Sequence, residues 1–302
     1  MKTVICAIAK FENDYIQEWV DYHLGLGFSQ IYIYDNNDID GERISDVLDE
    51  EIYKGKVFVL NVRGQKQMQK KVYNEFYHNN NFDWCGFIDI DEFITFNPKS
   101  GFNNINDFLA TVTDFDSVHI NWLCYGDNGK IRKQKGNVID RFPKSKKPLN
   151  FTYTYKFPEN NHIKSIIRKE LNINWDTNPH TPEGDYKICD EKGNLCSNLP
   201  FKNFTYDVIF LRHYCTKTIE EYMDKILRQC ADCNHTQFYS FGKFYRINRF
   251  TLRKYLIQKK LTKKHNLGAF KNSFFTCLRE YVHYQFVRRS VFLTFLYKLS
   301  KK

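Results

Sequence analysis

Strand-like and helix-like segments alternate through the first 95 residues, and this alternation restricts the fold more than any other feature of the sequence. Short β-branched runs predict four strands, and apolar residues recur at helical spacing between them. The predicted strands are residues 2–9, 30–34, 56–60 and 84–90, and the predicted helices are residues 14–26, 44–53 and 65–79. Repeated βαβ units predict a parallel sheet flanked by helices, and therefore an α/β fold.

Beyond residue 95 the pattern is less regular. Polar and proline-containing residues 130–162 predict a loop or lid, and residues 174–203 predict an irregular excursion. The further predicted elements are a helix at 105–109, strands at 117–122, 162–168 and 208–213, a helix at 218–233, and a helical tail from residue 250.

The positive charge is concentrated in that tail. The net charge is +10, which would suit nucleic acid, anionic lipid or a phosphorylated substrate. Residues 246–302, however, contain 15 Lys and Arg and a single acid, Glu280. No nucleic-acid motif is present, so a basic nucleic-acid-binding protein is kept only as an alternative. Bulky apolar residues among the cations of residues 288–302 favour either contact with anionic lipid or packing on the domain.

The cysteines and the N-terminus indicate a reducing compartment. Nine Cys are scattered, and Cys6 and Cys85 lie in apolar runs where a free thiol acts as a small hydrophobe. Cys230 and Cys233 have zinc-knuckle spacing with His235 nearby, but the sequence has no second such pair. No signal peptide and no apolar stretch long enough to span a bilayer is evident. We expect a cytoplasmic protein, peripheral on the inner face of the membrane if the tail binds lipid.

Polar residues follow three of the predicted strands. They are residues 10–12, residues 35–37 and residues 89–91. Because ligands of parallel sheets bind beyond the carboxyl ends of the strands, these three groups should converge on one edge. The convergence predicts a binding site there.

Asp89 and Asp91 are the strongest candidate metal ligands. An apolar strand leads directly into them, and alternation along an extended chain would place both on one side. Two neighbouring carboxylates are costly without a cation, and hard oxygen ligands suit Mn²⁺ or Mg²⁺. Such an ion would stabilise a departing diphosphate. Ion pairs from these aspartates to a neighbouring lysine would count against this interpretation.

Four further residues have a functional and a structural interpretation. Lys164 can meet a phosphate from its strand, or face solvent on an edge strand. His213 can bind metal, although a single histidine after a strand is more often structural. Trp122 with the turn at 126–129 can form a sugar platform. Asp127 in that turn can act as a general base or simply as a turn residue.

Together these motifs resemble the family 92 glycosyltransferases and the related bacterial family 2-like proteins. The matching segments occur in order between about residues 3 and 230 and include most of the candidates above. They are residues 9–13, 18–23 and 31–37, Gln69 with Tyr73, residues 87–93, Trp122 with residues 126–129, residues 164–168, Pro179 with His180, and residues 213–217.

The resemblance implies a GT-A fold, a UDP-sugar donor, an Mn²⁺-type cation and inversion at the anomeric carbon. We expect a catalytic domain at 1–235, with a nucleotide-sugar half at 1–95 and an acceptor half at 96–235, before a basic helical region at 236–302. In that picture His213 joins Asp89 and Asp91 on the metal, and Trp122 contacts the acceptor. The remaining residues expected to bind the donor are Lys10, Glu12, Asp35, Asn37, Gln69, Lys164 and His180.

The expected reaction is transfer of a hexose to a glycan or lipid-linked glycan, as in lipopolysaccharide or capsule synthesis. A non-catalytic sugar-nucleotide binder is the other alternative, which the presence of Asp89, Asp91 and His213 disfavours.

Overall fold

The structure is a computed structural model that describes residues 1–145, 162–196, 205–228, 240–267 and 273–289. The strands are β1 (Thr3–Ala9), β2 (Gln30–Asp35), β3 (Val57–Asn61), β4 (Trp84–Phe87), β5 (Glu92–Phe96), β6 (Ser117–Cys124), β7 (Ile163–Arg168), β8 (Ile188–Cys189), β9 (Leu195–Cys196) and β10 (Ile209–His213). The helices are α1 (Asn13–Gly25), α2 (Met68–Asn79), α3 (Ile105–Leu109), α4 (Val138–Arg141), α5 (Ile219–Arg228), α6 (Phe241–Ile247), α7 (Leu252–Lys264) and α8 (Phe274–Arg289). The possible zinc residues Cys230, Cys233 and His235 lie outside the described residues, as do residues 290–302 of the tail.

The strands form one sheet in the order β3-β2-β1-β4-β7-β6-β10-β5, with β8 and β9 attached beside β6. The strands from β1 to β4 are parallel, and β7 runs antiparallel to both β4 and β6. The predicted α/β fold is therefore confirmed. The direction of winding reverses at β1, because β2 lies on one side of it and β4 on the other. Such a reversal opens a crevice at the carboxyl ends of the strands.

Helix α2 covers this part of the sheet with an aromatic face. Val72, Tyr73, Phe76 and Tyr77 recur at helical spacing, are buried, and pack in one cluster with Cys85 and Phe87 of β4. Burying one such side chain contributes roughly 2 kcal/mol. Packing of this aromatic face on β4 places the first residues of α2 beside the end of that strand. Cys6 and Cys85 are buried free thiols, as expected.

The helix predicted at residues 44–53 is wrong. Only a single 3₁₀ turn forms, at Ile44–Asp46. The Asp49 carboxylate accepts the backbone N–H of Glu51 at 2.9 Å and that of Ile52 at 3.4 Å. A side chain that satisfies nearby N–H groups in this way stabilises a turn at the expense of a helix.

The strand predicted at residues 84–90 ends earlier, at Phe87. The Glu92 N–H donates to the Asp89 carbonyl at 3.0 Å, which closes a tight turn over residues 89–92. Strand β5 then begins at Glu92 and pairs antiparallel with β10, and the sequence pattern did not reveal it. Asp89 and Asp91 therefore lie in a turn, and alternation along a strand does not set their directions.

The described residues divide into two compact units. The first comprises those within Met1–Leu123 and Glu159–His213, and the second those within Cys124–Pro158, Tyr214–Cys230 and Asn234–Lys302. Buried residues of α5, α6 and α8 form the core of the second unit. The domain boundary predicted at residue 235 lies outside the described residues and stays a prediction.

Within the described part of the chain, no helix combines the length and apolar character that a bilayer crossing requires.

Candidate active site

The ends of β1 and β2 are joined by hydrogen bonds, so two of the three polar groups expected to converge lie together. Asn36 donates its N–H to the Ala9 carbonyl at 2.8 Å, and the Asn37 side-chain oxygen accepts the N–H of Phe11 at 2.7 Å. Lys10 Nζ lies 2.7 Å from Asp38 Oδ1. Phe11 has a φ of 54°, so the chain leaves β1 through a left-handed residue that brings these groups together.

Asp35 stabilises the turn that follows β2. Its side chain is 3% exposed, and its two oxygens accept the N–H groups of Asn37 at 3.0 Å and Ile44 at 3.1 Å. Glu12 is also buried, and its carbonyl accepts the first N–H groups of α1. The structure places Lys10, Glu12, Asp35 and Asn37 at this edge. Their role in donor binding stays a prediction.

Asp89 lies at the end of β4 between two donors. Gln69 Nε2 of α2 donates to Asp89 Oδ1 at 2.8 Å, and the same nitrogen lies 3.1 Å from the Tyr73 hydroxyl. Lys164 Nζ of β7 lies 3.0 Å from Asp89 Oδ2. The structure thus brings together Gln69, Asp89 and Lys164. The pair with Lys164 is the contact that counts against Asp89 as a direct metal ligand.

Lys164 is 1% exposed, which is rare for a lysine. Burial by itself would lower the pKa of its ammonium, but the negative charges of Asp89 and Glu92 outweigh burial and raise it. Strand β7 holds it there through antiparallel pairing with β4, in which Ile166 faces Gly86. A buried ammonium at the carboxyl edge of a sheet can neutralise a bound phosphate.

Glu92 belongs to the same cluster, although sequence reasoning did not select it. Its side chain is fully buried, and its Oε2 accepts the N–H of Asp89 at 2.9 Å and lies 3.9 Å from Lys164 Nζ. Burial raises the pKa of Glu92 to about 8, with Lys164 opposing and Asp89 reinforcing the shift. The available signal was a third acid within four residues of an apolar strand.

Asp91 and His213 form the second half of the site. Both are more than nine-tenths buried, and His213 Nε2 lies 3.7 Å from Asp91 Oδ1. The pairing of β10 with β5 explains this, because His213 is opposite Glu92 in the register. The structure therefore brings together two of the three predicted metal ligands from positions 122 residues apart in the chain.

Trp122 lies among three histidines of the first unit. Its ring centroid is 4.0 Å from that of His213, 5.2 Å from that of His180 and 4.8 Å from that of His162. Burial lowers the pKa of His180, and the positive charges of Lys164, His162 and His213 lower it further. Because His213 packs on its ring, Trp122 orients that histidine in addition to any contact with an acceptor.

Two residues of α1 fix the turn that carries the aspartates. Trp19 Nε1 donates to the Glu92 carbonyl at 2.7 Å, and the Ile94 N–H donates to His23 Nε2 at 3.2 Å. His23 Nδ1 is 2.8 Å from the Trp19 carbonyl. The backbone of β5 is thereby tied to α1 from its first residue.

Asp127 lies in the second unit. It is 3% exposed, its Oδ1 accepts the Gly129 N–H at 2.9 Å, and its N–H donates to Asn248 Oδ1 at 2.6 Å. Its other oxygen forms an ion pair with Lys254. These contacts are those of a turn residue that anchors neighbouring elements, and its role as a base stays a prediction.

Comparisons with known proteins agree with the sequence resemblance. The model of Glycosyltransferase family 92 matches residues 2–230. A family 92 protein from Oryza sativa subsp. japonica is 24% identical over 237 residues, covering 75% of this chain and 35% of its own length. One from Ricinus communis is 27% identical over 192 residues, covering 56% of this chain and 29% of its own length. The chain spans about a third of the length of these relatives.

Among solved structures, S. aureus TarS residues 1–349 in complex with UDP-GlcNAc matches with a TM-score of 0.41 and 12% identity, covering 94% of this chain and 79% of that chain. The same protein in complex with UDP matches with a TM-score of 0.36 and 15% identity, over 56% of this chain and 47% of that chain.

Proposed function

Because the chain belongs to glycosyltransferase family 92, we propose that it transfers a hexose from a UDP-sugar to a glycan or lipid-linked glycan acceptor. The observation that supports this most is the cluster of Asp89, Asp91, Glu92 and Lys164 at the carboxyl end of β4. This end lies beside the point where the winding of the sheet reverses, where α/β folds bind nucleotides.

We also propose that the donor binds with Mn²⁺ or Mg²⁺. The donor set fits, because Asp91 offers carboxylate oxygen and His213 offers an imidazole nitrogen 3.7 Å away. Ligands about 2 Å from one ion are typically about 3 Å apart, so the Asp91 oxygen and the His213 nitrogen would need to approach each other only slightly. Asp89 would have to exchange the ammonium of Lys164 for the metal. When bound, the ion would act as a Lewis acid on the leaving diphosphate.

The proposed reaction is a direct displacement at the anomeric carbon, and the protein supplies charge for the leaving group. An acceptor hydroxyl attacks the anomeric carbon from the side opposite the diphosphate. The bond between that carbon and the diphosphate oxygen breaks, and the oxygen keeps the electron pair. The hydroxyl proton passes to a base, and the anomeric configuration inverts. Lys164 next to Asp89 provides a positive charge for the departing phosphate oxygens.

The first experiment measures UDP release from a panel of UDP-sugars with Mn²⁺, before and after chelation. We expect Asp91→Asn to reduce turnover by about 100-fold or more, since one electrostatic partner of the transition state is lost. Glu51→Gln, at an exposed position, is the matched control and should keep full turnover. Manganese with UDP should raise the melting temperature of the wild type by mass action, and by less in Asp91→Asn.

The same assay separates the metal from the lysine. Turnover that survives chelation and Asp91→Asn but is lost in Lys164→Met would show that Lys164 replaces the ion, and the metal proposal would fail. Absence of turnover and of any nucleotide-dependent thermal shift would instead favour a protein without transferase activity.

The location and the partners are also proposals. We propose a cytoplasmic protein that meets a lipid-linked acceptor at the inner face of the membrane and does not bind nucleic acid. The basic C-terminal region supports contact with anionic lipid. Salt-sensitive retention on DNA at physiological ionic strength would contradict the last point.

A further inference from the structure

Helix α7 has polar side chains in its buried face and leucines on its exposed face, although Ile257 and Leu261 pack on the core of the second unit. Lys254 and Gln258 face inward and are 2% and 3% exposed. Leu252 and Leu256 face outward and are 61% and 53% exposed. A surface helix normally turns its apolar residues to the core, so the outward position of the two leucines requires a cause.

The cause is the set of partners beneath the helix, all in the second unit. The Lys254 ammonium forms an ion pair with Asp127 and donates to the Arg249 carbonyl at 3.0 Å. Gln258 lies 3.7 Å from the Cys277 sulfur. A buried lysine with an anionic partner is strongly held, because exposing one member would leave the other charge buried alone. These contacts fix the rotation of α7 about its axis and leave both leucines on the outward face.

The cations of α7 share the outward face with the leucines. At 100° per residue, these seven side chains fall within an arc of about 140° along a helix about 20 Å long. The exposed cations are Arg253, Lys259, Lys260, Lys263 and Lys264. The helix contains no acidic residue. The leucines lie at its first two turns and most of the lysines at its last two.

We propose that this outward face of α7 binds the surface of an anionic lipid bilayer, with Leu252 and Leu256 entering the headgroup region. Cations attract the anionic leaflet, and exposed apolar side chains gain by leaving water at the interface. Nucleic acid would use the cations but gives the two leucines no apolar partner, so lipid fits the whole face better. This inference rests on the proposed membrane location and names the surface that makes the contact, but it does not depend on the proposed transfer reaction.

The test is co-sedimentation of the full chain with vesicles containing phosphatidylglycerol and with vesicles of phosphatidylcholine alone. We expect binding only to the anionic vesicles. The variants Leu252→Ser/Leu256→Ser and Lys259→Glu/Lys263→Glu should each weaken the partition about tenfold or more. The matched control is Ile52→Ser/Lys54→Glu, which changes an exposed isoleucine and an exposed lysine of the first unit and should bind like the wild type.

Three outcomes would overturn the proposal. The first is the absence of vesicle binding by the wild type, and the second is vesicle binding that both α7 variants retain. The third is vesicle binding that only the lysine variant weakens, together with retention of the wild type on DNA that is as strong as its binding to the vesicles. Melting curves of the variants confirm folding, and exposed positions such as these should tolerate the changes. UDP release in detergent-free buffer without vesicles should be the same in the wild type and both α7 variants.

Discussion

His23 shows how much one buried side chain contributes to the site. Its Nδ1–H donates to the Trp19 carbonyl at 2.8 Å, which leaves Nε2 to accept the N–H of Ile94 at 3.2 Å. The bond at Nε2 needs the neutral ring, because a protonated nitrogen cannot accept, and burial lowers the pKa of His23 to about 3. The neutral tautomer is thus fixed by the two elements that it joins, α1 and β5.

Replacing this ring should be costly. His23→Phe keeps the ring shape but leaves the Ile94 N–H and the Trp19 carbonyl without these bonds, so we expect a loss of about 2–4 kcal/mol in the free energy of unfolding. Urea denaturation measures it. The matched control is His78→Phe, at an exposed position in α2, which should change the free energy by less than about 0.5 kcal/mol. Equal stability of the two variants would show that the His23 bonds contribute nothing.

At the residue scale, the sequence identifies a candidate site residue when its immediate neighbours in the chain form a recognisable pattern. Asp89 and Asp91 follow an apolar run, and that pattern is visible without a structure. Trp19 and His23 act on β5 about 70 residues later, and no local pattern shows such a contact. The roles of Lys164 and His213 remained open for the same reason, because strand pairing places them.

At the scale of elements, β1 to β4 and α1 and α2 were predictable because each has a strong period or a β-branched run. Strand β5 was not, since it is buried along its whole length and pairs with β10 more than 100 residues later. The predicted helix at 44–53 failed because acidic side chains such as Asp49 cap turns there. Distant pairing hid β5, and local chemistry prevented the helix.

The anchoring of α7 gives a prediction at this scale. Lys254 and Asp127 are both at most 3% exposed, so removing either charge leaves the other buried without its partner. Lys254→Met and Asp127→Asn should each lower the free energy of unfolding by about 3 kcal/mol, and the double variant by clearly less than their sum. Chemical denaturation of all four proteins gives the coupling energy. Lys192→Met, from a partly exposed pair with Asp207, is the control and should cost about 1 kcal/mol or less.

This cycle also tests Asp127 as the base. If Asp127 anchors α7, folded Asp127→Asn protein keeps its turnover at low temperature. A variant of unchanged stability and abolished turnover would show instead that the carboxylate takes the acceptor proton, which is the functional interpretation of this turn residue.

Across the whole molecule, buried titratable groups make stability depend on pH in two opposing ways. Burial lowers the pKa of His23 and of His119 to about 3, from an ordinary value of 6.5. The unfolded chain therefore takes up protons below about pH 6.5 that the folded chain refuses, and stability falls with acid. Glu92 acts in the opposite sense. Its raised pKa means that the folded chain keeps a proton that the unfolded chain loses above about pH 4.5, so its penalty shrinks as the pH falls.

Because these contributions oppose one another, the wild-type profile alone cannot assign either, and a difference between two proteins must be measured. His119→Gln removes one buried imidazole from β6, at a position away from Glu92 in the chain, and costs stability through lost packing at any pH. Lowering the pH from about 7.5 to about 5 should destabilise the wild type by about 2 kcal/mol more than the variant, because only the wild type still has this imidazole to protonate on unfolding. Urea denaturation of both proteins at the two pH values gives that difference directly. If the difference in stability between the two proteins is the same at both pH values, His119 is as easily protonated in the folded chain as in the unfolded one. Its burial in β6 would then not disfavour the charged imidazole.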